Sequence, residues 1–358
     1  MTRTTTLLTS RPRVLTGPNP FGVDPALDLL RPTRNVPHYS ETMYFAVIDR
    51  EDPSLGLFLH TGRMAEDTDL WWARTVAYLP GGEVVVDRSH GRAPDDRGPA
   101  TGDLAIRCTE PGHRWRLRFD GAGERTSREA TARGLVGAGP VTPLRFDVEC
   151  DAVGPVWDLQ GAVGATEDLD PAVSVWAAGH HEQGFLARGE LTVGDRTWTL
   201  DGVAYRDHSW GPREMSDFGA DAYVALVFPE SRRVVQGVTV FNAALEPVLR
   251  CFHIWEDGRL ELMGEGAVPR ANDAAGHPDT GLELVMQRVD GERLVLPGEV
   301  TAGVTISIVD PNRNLNGAAH GLPGALFLNE ELVRYTWPDG EVGLGHAERA
   351  IRPADVRA

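Results

Sequence analysis

The segment VAYRDHSWGPREM, Val203 to Met215, sets Asp207, His208, Ser209, Trp210 and Arg213 within seven positions. A carboxylate beside an imidazole is the equipment of general acid/base chemistry, provided that one of them sits in a pocket with a shifted pKa. Just upstream, GHHEQG (179–184) adds His180, His181, Glu182 and Gln183. Three histidines and two carboxylates (His180, His181, His208, Glu182, Asp207) are also the donor types of a metal centre. However, neither HxH nor HExxH spacing occurs, and neighbours along a strand face opposite sides. The expectation is a site without metal or cofactor. Ser209 lacks the flanking glycines of a nucleophile elbow, which argues against a serine hydrolase. A plainer reading stands beside these: Trp210 packs in the core, Asp207 caps a turn, and Arg213 pairs with it.

Both segments belong to one predicted hairpin. Gly194-Asp195 is a two-residue turn signal, so Leu186–Val193 is expected to pair with Arg196–Val203. That pairing carries His180–Glu182 to the level of Tyr205–His208. Strand alternation puts Trp198, Leu200, Gly202, Ala204, Arg206, His208 and Trp210 on one face, and Tyr205, Asp207 and Ser209 on the other. Asp207 and His208 are thus expected to point apart.

The surrounding pattern is of short strands separated by turn residues. Asp257-Gly258, Asp290-Gly291 and Asp339-Gly340 repeat the hairpin signal, and 40 Gly and 25 Pro supply many turns. No stretch sustains a helical period, which gives an all-β antiparallel protein. TMYFAVIDREDPSLGLFLHTG resembles DAYVALVFPESRRVVQGVTVF, and GELTVGDRTWTLDGVAYRDHS resembles ELVRYTWPDGEVGLGHAER. This weak repeat predicts a tail over 1–30, a first β-barrel domain over 31–213, a second over 214–352 and a tail over 353–358. In it, LGHAE (344–348), with His346 and Glu348 on one face, is the counterpart of the Asp207 motif.

Across 358 residues the formal net charge is −17, spread along the chain, which disfavours nucleic acid and anionic membranes as partners. The sequence contains no lysine, so all 35 basic residues are Arg, and Schiff-base and P-loop lysine chemistry are excluded. Cys108, Cys150 and Cys251 are scattered, with no CxxC. No apolar run suits a signal peptide or a membrane span, so the protein is expected to be cytoplasmic. A homodimer is left open.

DGVAYRDHSWG resembles the Asp-His-x-Trp-Gly signature of the hydroxyneurosporene synthase (carotenoid 1,2-hydratase) and AttH-like family, matched here by Asp207, His208, Trp210 and Gly211. A closer variant, HxEQ followed by RDHSWGPR, is carried by His180, Glu182, Gln183 and Arg206 to Arg213. The resemblance implies two lipocalin-like β-barrels packed together. It also implies a cofactor-free reaction in secondary metabolism, in which a carboxylic acid protonates a C=C bond of a hydrophobic isoprenoid or polyketide. Hydratase, cyclase and isomerase outcomes all follow from that step. Asp207 would be the acid, His208 its tuning partner and Glu182 the alternative acid or the base, with His181 beside them. Trp210, Tyr205, Tyr223, Arg213, His180 and Trp176 would bind substrate. Asp221 and Tyr223 are an imperfect match to the further Asp and Tyr of the hydratases. The competing expectation is a non-catalytic lipocalin-like carrier of a hydrophobic small molecule.

Overall fold

The computed structural model describes residues 7–32, 39–63, 67–164, 179–212, 217–278, 281–310 and 313–355. Eight antiparallel strands close a barrel in the first half. In ring order they are Tyr39–Asp49, Gly56–Arg63, Trp71–Leu79, Glu83–Gly91, Arg114–Ser127, Val141–Ala152, Gly179–Val193 and Arg196–Pro212, the last pairing back onto the first. Closure leaves no free edge along the ring. The hairpin has the register expected from its turn, with Leu186 opposite Val203 and Val193 opposite Arg196. Gly194 turns it with φ +58, a left-handed angle that glycine adopts without Cβ strain.

A second sheet follows. Its path runs through Leu282–Gln287, Arg293–Asp310, Leu326–Thr336, Val342–Ile351, Phe218–Phe228, Arg233–Asn242, Pro247–Glu256 and Arg259–Met263. The all-β architecture therefore stands.

Alternating side chains make three large apolar cores, beside a small one around Phe327 and Ile351. Met43, Phe45, Val47, Leu59, Trp115, Phe146 and Phe185 fill the first barrel. Val224, Leu226, Phe252, Leu284 and Leu296 form a core on one face of the second sheet. The opposite faces meet in a third core, where Tyr44, Ile48, Phe58 and Tyr205 of the first barrel pack with Tyr223, Val238, Leu249 and Leu328 of the second sheet. Tyr39–Asp49 is consequently buried along its whole length, on both faces.

The N-terminal segment, expected to be a tail, is built into the fold. Leu8–Thr9 pairs in parallel with Leu249–Arg250, and Arg13–Thr16 pairs with Arg259–Leu262. Strands of two and four residues rich in Thr and Arg carry too little apolar alternation to stand out in a sequence. Farther on, Asp28 ends a 3-10 helix and enters the first barrel. Its Oδ1 lies 2.5 Å from Arg206 Nη2, its Oδ2 accepts from the Gly112 amide at 2.6 Å, and the guanidinium lies over the Trp115 ring. At the other end, Pro353–Asp355 forms a short 3-10 turn.

Removing one member of a buried ion pair strands the other charge. Asp28→Ala should therefore destabilise the protein by about 3–5 kcal/mol, read as a lower urea midpoint. An unchanged midpoint would show that the N-terminal segment does not support the barrel.

Candidate functional site

The hairpin register sets Glu182 opposite Asp207 and His180 opposite Ser209, and Asp207 is in turn opposite Tyr44. Period-two alternation then sorts the motif by face. His180, Glu182, Tyr205, Asp207 and Ser209 point outward, toward the second sheet. His181, Gln183, Arg206, His208 and Trp210 belong to the inner face.

Glu182 is the hub of the outward group. Its Oε2 accepts hydrogen bonds from the Tyr205 and Tyr223 hydroxyls, each at 2.9 Å, and Tyr44 donates to the Tyr223 hydroxyl at 2.7 Å. Its Oε1 is 2.8 Å from His180 Nε2 and 3.5 Å from Gln236 Nε2. The same His180 Nε2 lies 3.0 Å from Asp207 Oδ2. A ring nitrogen carries at most one hydrogen. It therefore either shares that hydrogen between the two carboxyls or accepts from one that is protonated. Glu182, His180 and Asp207 thus form one proton-sharing chain. Burial, and then the Glu182 charge, hold the hydroxyls of Tyr44, Tyr205 and Tyr223 well above the usual phenol range, so all three remain donors.

Tyr44, His180, Glu182, Asp207 and Tyr223 border a cavity of about 30 Å³ between the two sheets, together with Trp157, Leu159, Val238, Leu249 and Glu348. That is room for one water molecule. It is far below the roughly 300–1,000 Å³ of pockets for drug-sized ligands. Trp157 pairs with Glu182 at the strand edge and stacks on His253 at 5.3 Å. Burial holds His253 down to about 3, so it is neutral.

The second sheet adds carboxyls of its own. Glu348 is opposite Glu330 on one side and Tyr223 on the other. Asp221 and Glu330 are buried, and His346 Nε2 lies 2.9 Å from Glu330 Oε2. Burial raises Glu330 to about 8, while burial and then repulsion from Glu330 raise Glu348. Asp221 is raised by burial and then by Glu348. The rings of Tyr44 and Phe58 pack on His346 at 5.2 and 5.1 Å, and burial holds that imidazole neutral at about 3.

The inner face is a separate cluster. His208 Nε2 is 3.0 Å from Glu41 Oε1, and Arg63 Nε is 3.1 Å from Glu41 Oε2. His181 meets the Trp210 ring edge-on at 4.8 Å and His208 meets it at 4.9 Å. Burial, and then His208, hold His181 down to about 2. The imidazole beside Asp207 is therefore that of His180 and not of His208, because the strand turns His208 to the opposite face. Trp210 and His181 likewise point away from the cavity that Tyr205 and Tyr223 approach. Trp176 and Arg213 lie outside the described residues.

Tyr44, Gln236 and Glu41 carried no signal in the sequence. They reach the motif through strand pairings and sheet packing that only the closed fold creates. The repeat did point to Glu348. Among the described residues, His180, Glu182 and Asp207 offer one ligand atom each within 4.8 Å of one another. These are the side chains that would hold a divalent cation.

Residues 25–352 match a family described as a domain of unknown function, DUF7064. No curated protein matches the chain. The fold is similar to that of an AttH protein from Nitrosomonas europaea, with TM-score 0.56 and 13% identity over 89% of this chain and 93% of that one. It is also similar to kievitone hydratase from Nectria haematococca, with TM-score 0.52 and 12% identity over 96% and 97%. The two sheets are thus a lipocalin-like pair, and the AttH-like part of the resemblance holds at the level of fold.

The raised Glu330 makes stability depend on pH. Above the ordinary glutamate value of about 4.5 and below about 8, the folded chain keeps a proton that the unfolded chain has lost, so stability falls as pH rises. The slope is about 1.4 kcal/mol per pH unit for each such group. Neutral His181, His253 and His346 act with the opposite sign, but only below about 6.5. Between pH ~6.5 and ~8, Glu330→Gln should lose about 1–2 kcal/mol less stability than the wild type. Urea midpoints at the two pH values measure this, and parallel losses would contradict it.

Proposed function

The chain belongs to the DUF7064 family, and on that premise we propose that it is a cofactor-independent acid/base enzyme acting at a C=C bond of a hydrophobic isoprenoid or polyketide. Hydration, cyclisation and isomerisation share the first step, protonation of an alkene carbon. That step needs a strong acid kept dry and aromatic faces beside the developing cation. The observation that carries this reading is the Asp207–His180–Glu182 chain opening on a cavity walled by Leu159, Val238 and Leu249. Tyr44, Tyr223 and Trp157 supply the aromatic border. One protein of similar fold is named a hydratase, which supports hydration as the outcome to test first.

The carrier reading is less well supported. A carrier holds its ligand in a large apolar cavity, whereas side chains fill the inside of the first barrel and cover one face of the second sheet. The cavity beside Glu182 seats a water rather than a carbon skeleton.

Asp207→Asn and Glu182→Gln keep size and hydrogen bonding while removing the acid. With folding intact, each should lower turnover by about 10²–10⁴-fold. Wild-type rates in both variants would sink the assignment. A stoichiometric divalent cation found by elemental analysis, and lost in Asp207→Asn, would replace this reading with metal-assisted chemistry.

A further inference from the structure

The first barrel brings Glu182 and Asp207 to the cavity. The second sheet brings a third carboxyl, that of Glu348, which borders the same space. It keeps some accessible surface, while Asp221 and Glu330 behind it are almost fully buried. We propose, on the footing of the acid/base reading above, that Glu348 is the proton donor of the reaction and that Glu182 receives the proton of the attacking water.

The geometry separates the two roles. Glu182 accepts hydrogen bonds from two phenols on Oε2, and its Oε1 lies 2.8 Å from His180 Nε2, so it stands in the cavity wall as an acceptor. Glu348 has acidic neighbours instead. Asp221 and Glu330 face it from the adjoining strands, with Tyr223 opposite and His346 two residues away on its own strand. Across the cavity it meets Asp207, Glu182, Tyr44 and His180. Arg74 bears on the cluster through Glu330, and its Nε is already engaged by Asn316. Like charges in so dry a place cannot all ionise, and the raised Glu348 and Asp221 agree with this.

The step balances without a co-reactant other than water. The π pair of the alkene takes the hydrogen of the Glu348 carboxyl as a new C–H bond, leaving a carboxylate on Glu348 and a carbocation. A water forms the C–O bond and gives its proton to Glu182. That proton returns to Glu348 across the cavity both residues border, so one water is added in each cycle. Asp221 and Glu330 are positioning residues that keep Glu348 protonated.

The test uses the full chain with geraniol and farnesol as probes, followed by mass for gain of water and, in D2O, for carbon-bound deuterium. Glu348→Gln should lower turnover by at least about 100-fold, with partial recovery in Glu348→Asp. Glu330→Gln should move the alkaline limb of the rate profile to lower pH, because loss of a neighbouring negative charge makes Glu348 ionise more readily. Infrared difference spectra need no substrate. The carbonyl band of the protonated carboxyls should lose the contribution of one group in Glu348→Gln, while those of Asp221 and Glu330 remain. Turnover that survives in Glu348→Gln but fails in Glu182→Gln overturns this inference and leaves the proposed function standing. If neither alcohol is turned over, the infrared result decides, and an unchanged spectrum in Glu348→Gln overturns the inference.

Discussion

Acidic side chains packed between two apolar sheets are the constraint on which this structure turns. Glu182, Asp207, Asp221, Glu330 and Glu348 all lie at the interface or directly behind it, and a carboxylate cannot lose its water without replacement. The protein meets this in two ways. Around Glu182, Tyr205 of the barrel and Tyr223 and Gln236 of the second sheet supply polar hydrogens, and His180 Nε2 lies 2.8 Å away. On the sheet side, Glu330, Glu348 and Asp221 crowd one another and retain protons. Donors thus converge on Glu182, while the carboxyls around Glu348 hold hydrogen. That polarity is what a proton transfer between two carboxyls requires.

The alternation of the Arg196–Pro212 strand explains why the densest polar motif in the chain serves two purposes. Asp207 and Tyr205 contribute to the interface. On the other face, Arg206 forms a buried ion pair with Asp28, and His208 Nε2 lies 3.0 Å from Glu41 Oε1. Such pairs contribute little net stability compared with apolar packing, but losing one partner is costly. Their placement fixes where the strand lies, and with it the position of Asp207. The inner face holds the scaffold of the motif, and the outer face meets the cavity.

What was legible in the sequence was local. The Gly194-Asp195 turn gave the hairpin register, and the register placed Glu182 beside Asp207 and separated Asp207 from His208. The resemblance implies the chain neighbour His208 as the partner of Asp207, while the hairpin brings His180 from the strand opposite. Tyr44 reaches the site only because the last barrel strand closes on the first, a pairing with no short-range signature. Glu348 was visible only as a faint repeat, since nothing in its own strand reveals that Glu330 and Asp221 flank it. Asp28 was hidden in a segment whose strands are too short to show a period.

A site divided between two sheets makes their packing part of the chemistry. Glu182 and Asp207 are held by the hairpin, and Glu348 by a strand of the other sheet, so the gap between them is set by the apolar side chains that meet there. Val238 and Leu249 belong both to that interface core and to the cavity wall. Trimming either would leave the hydrogen bonds of Glu182 in place while widening the space a water must span. It would also admit solvent, which lowers the pKa of a carboxyl that dryness had raised. Dryness and spacing thus depend on the same residues, and the acid keeps its hydrogen only while the two sheets stay in contact.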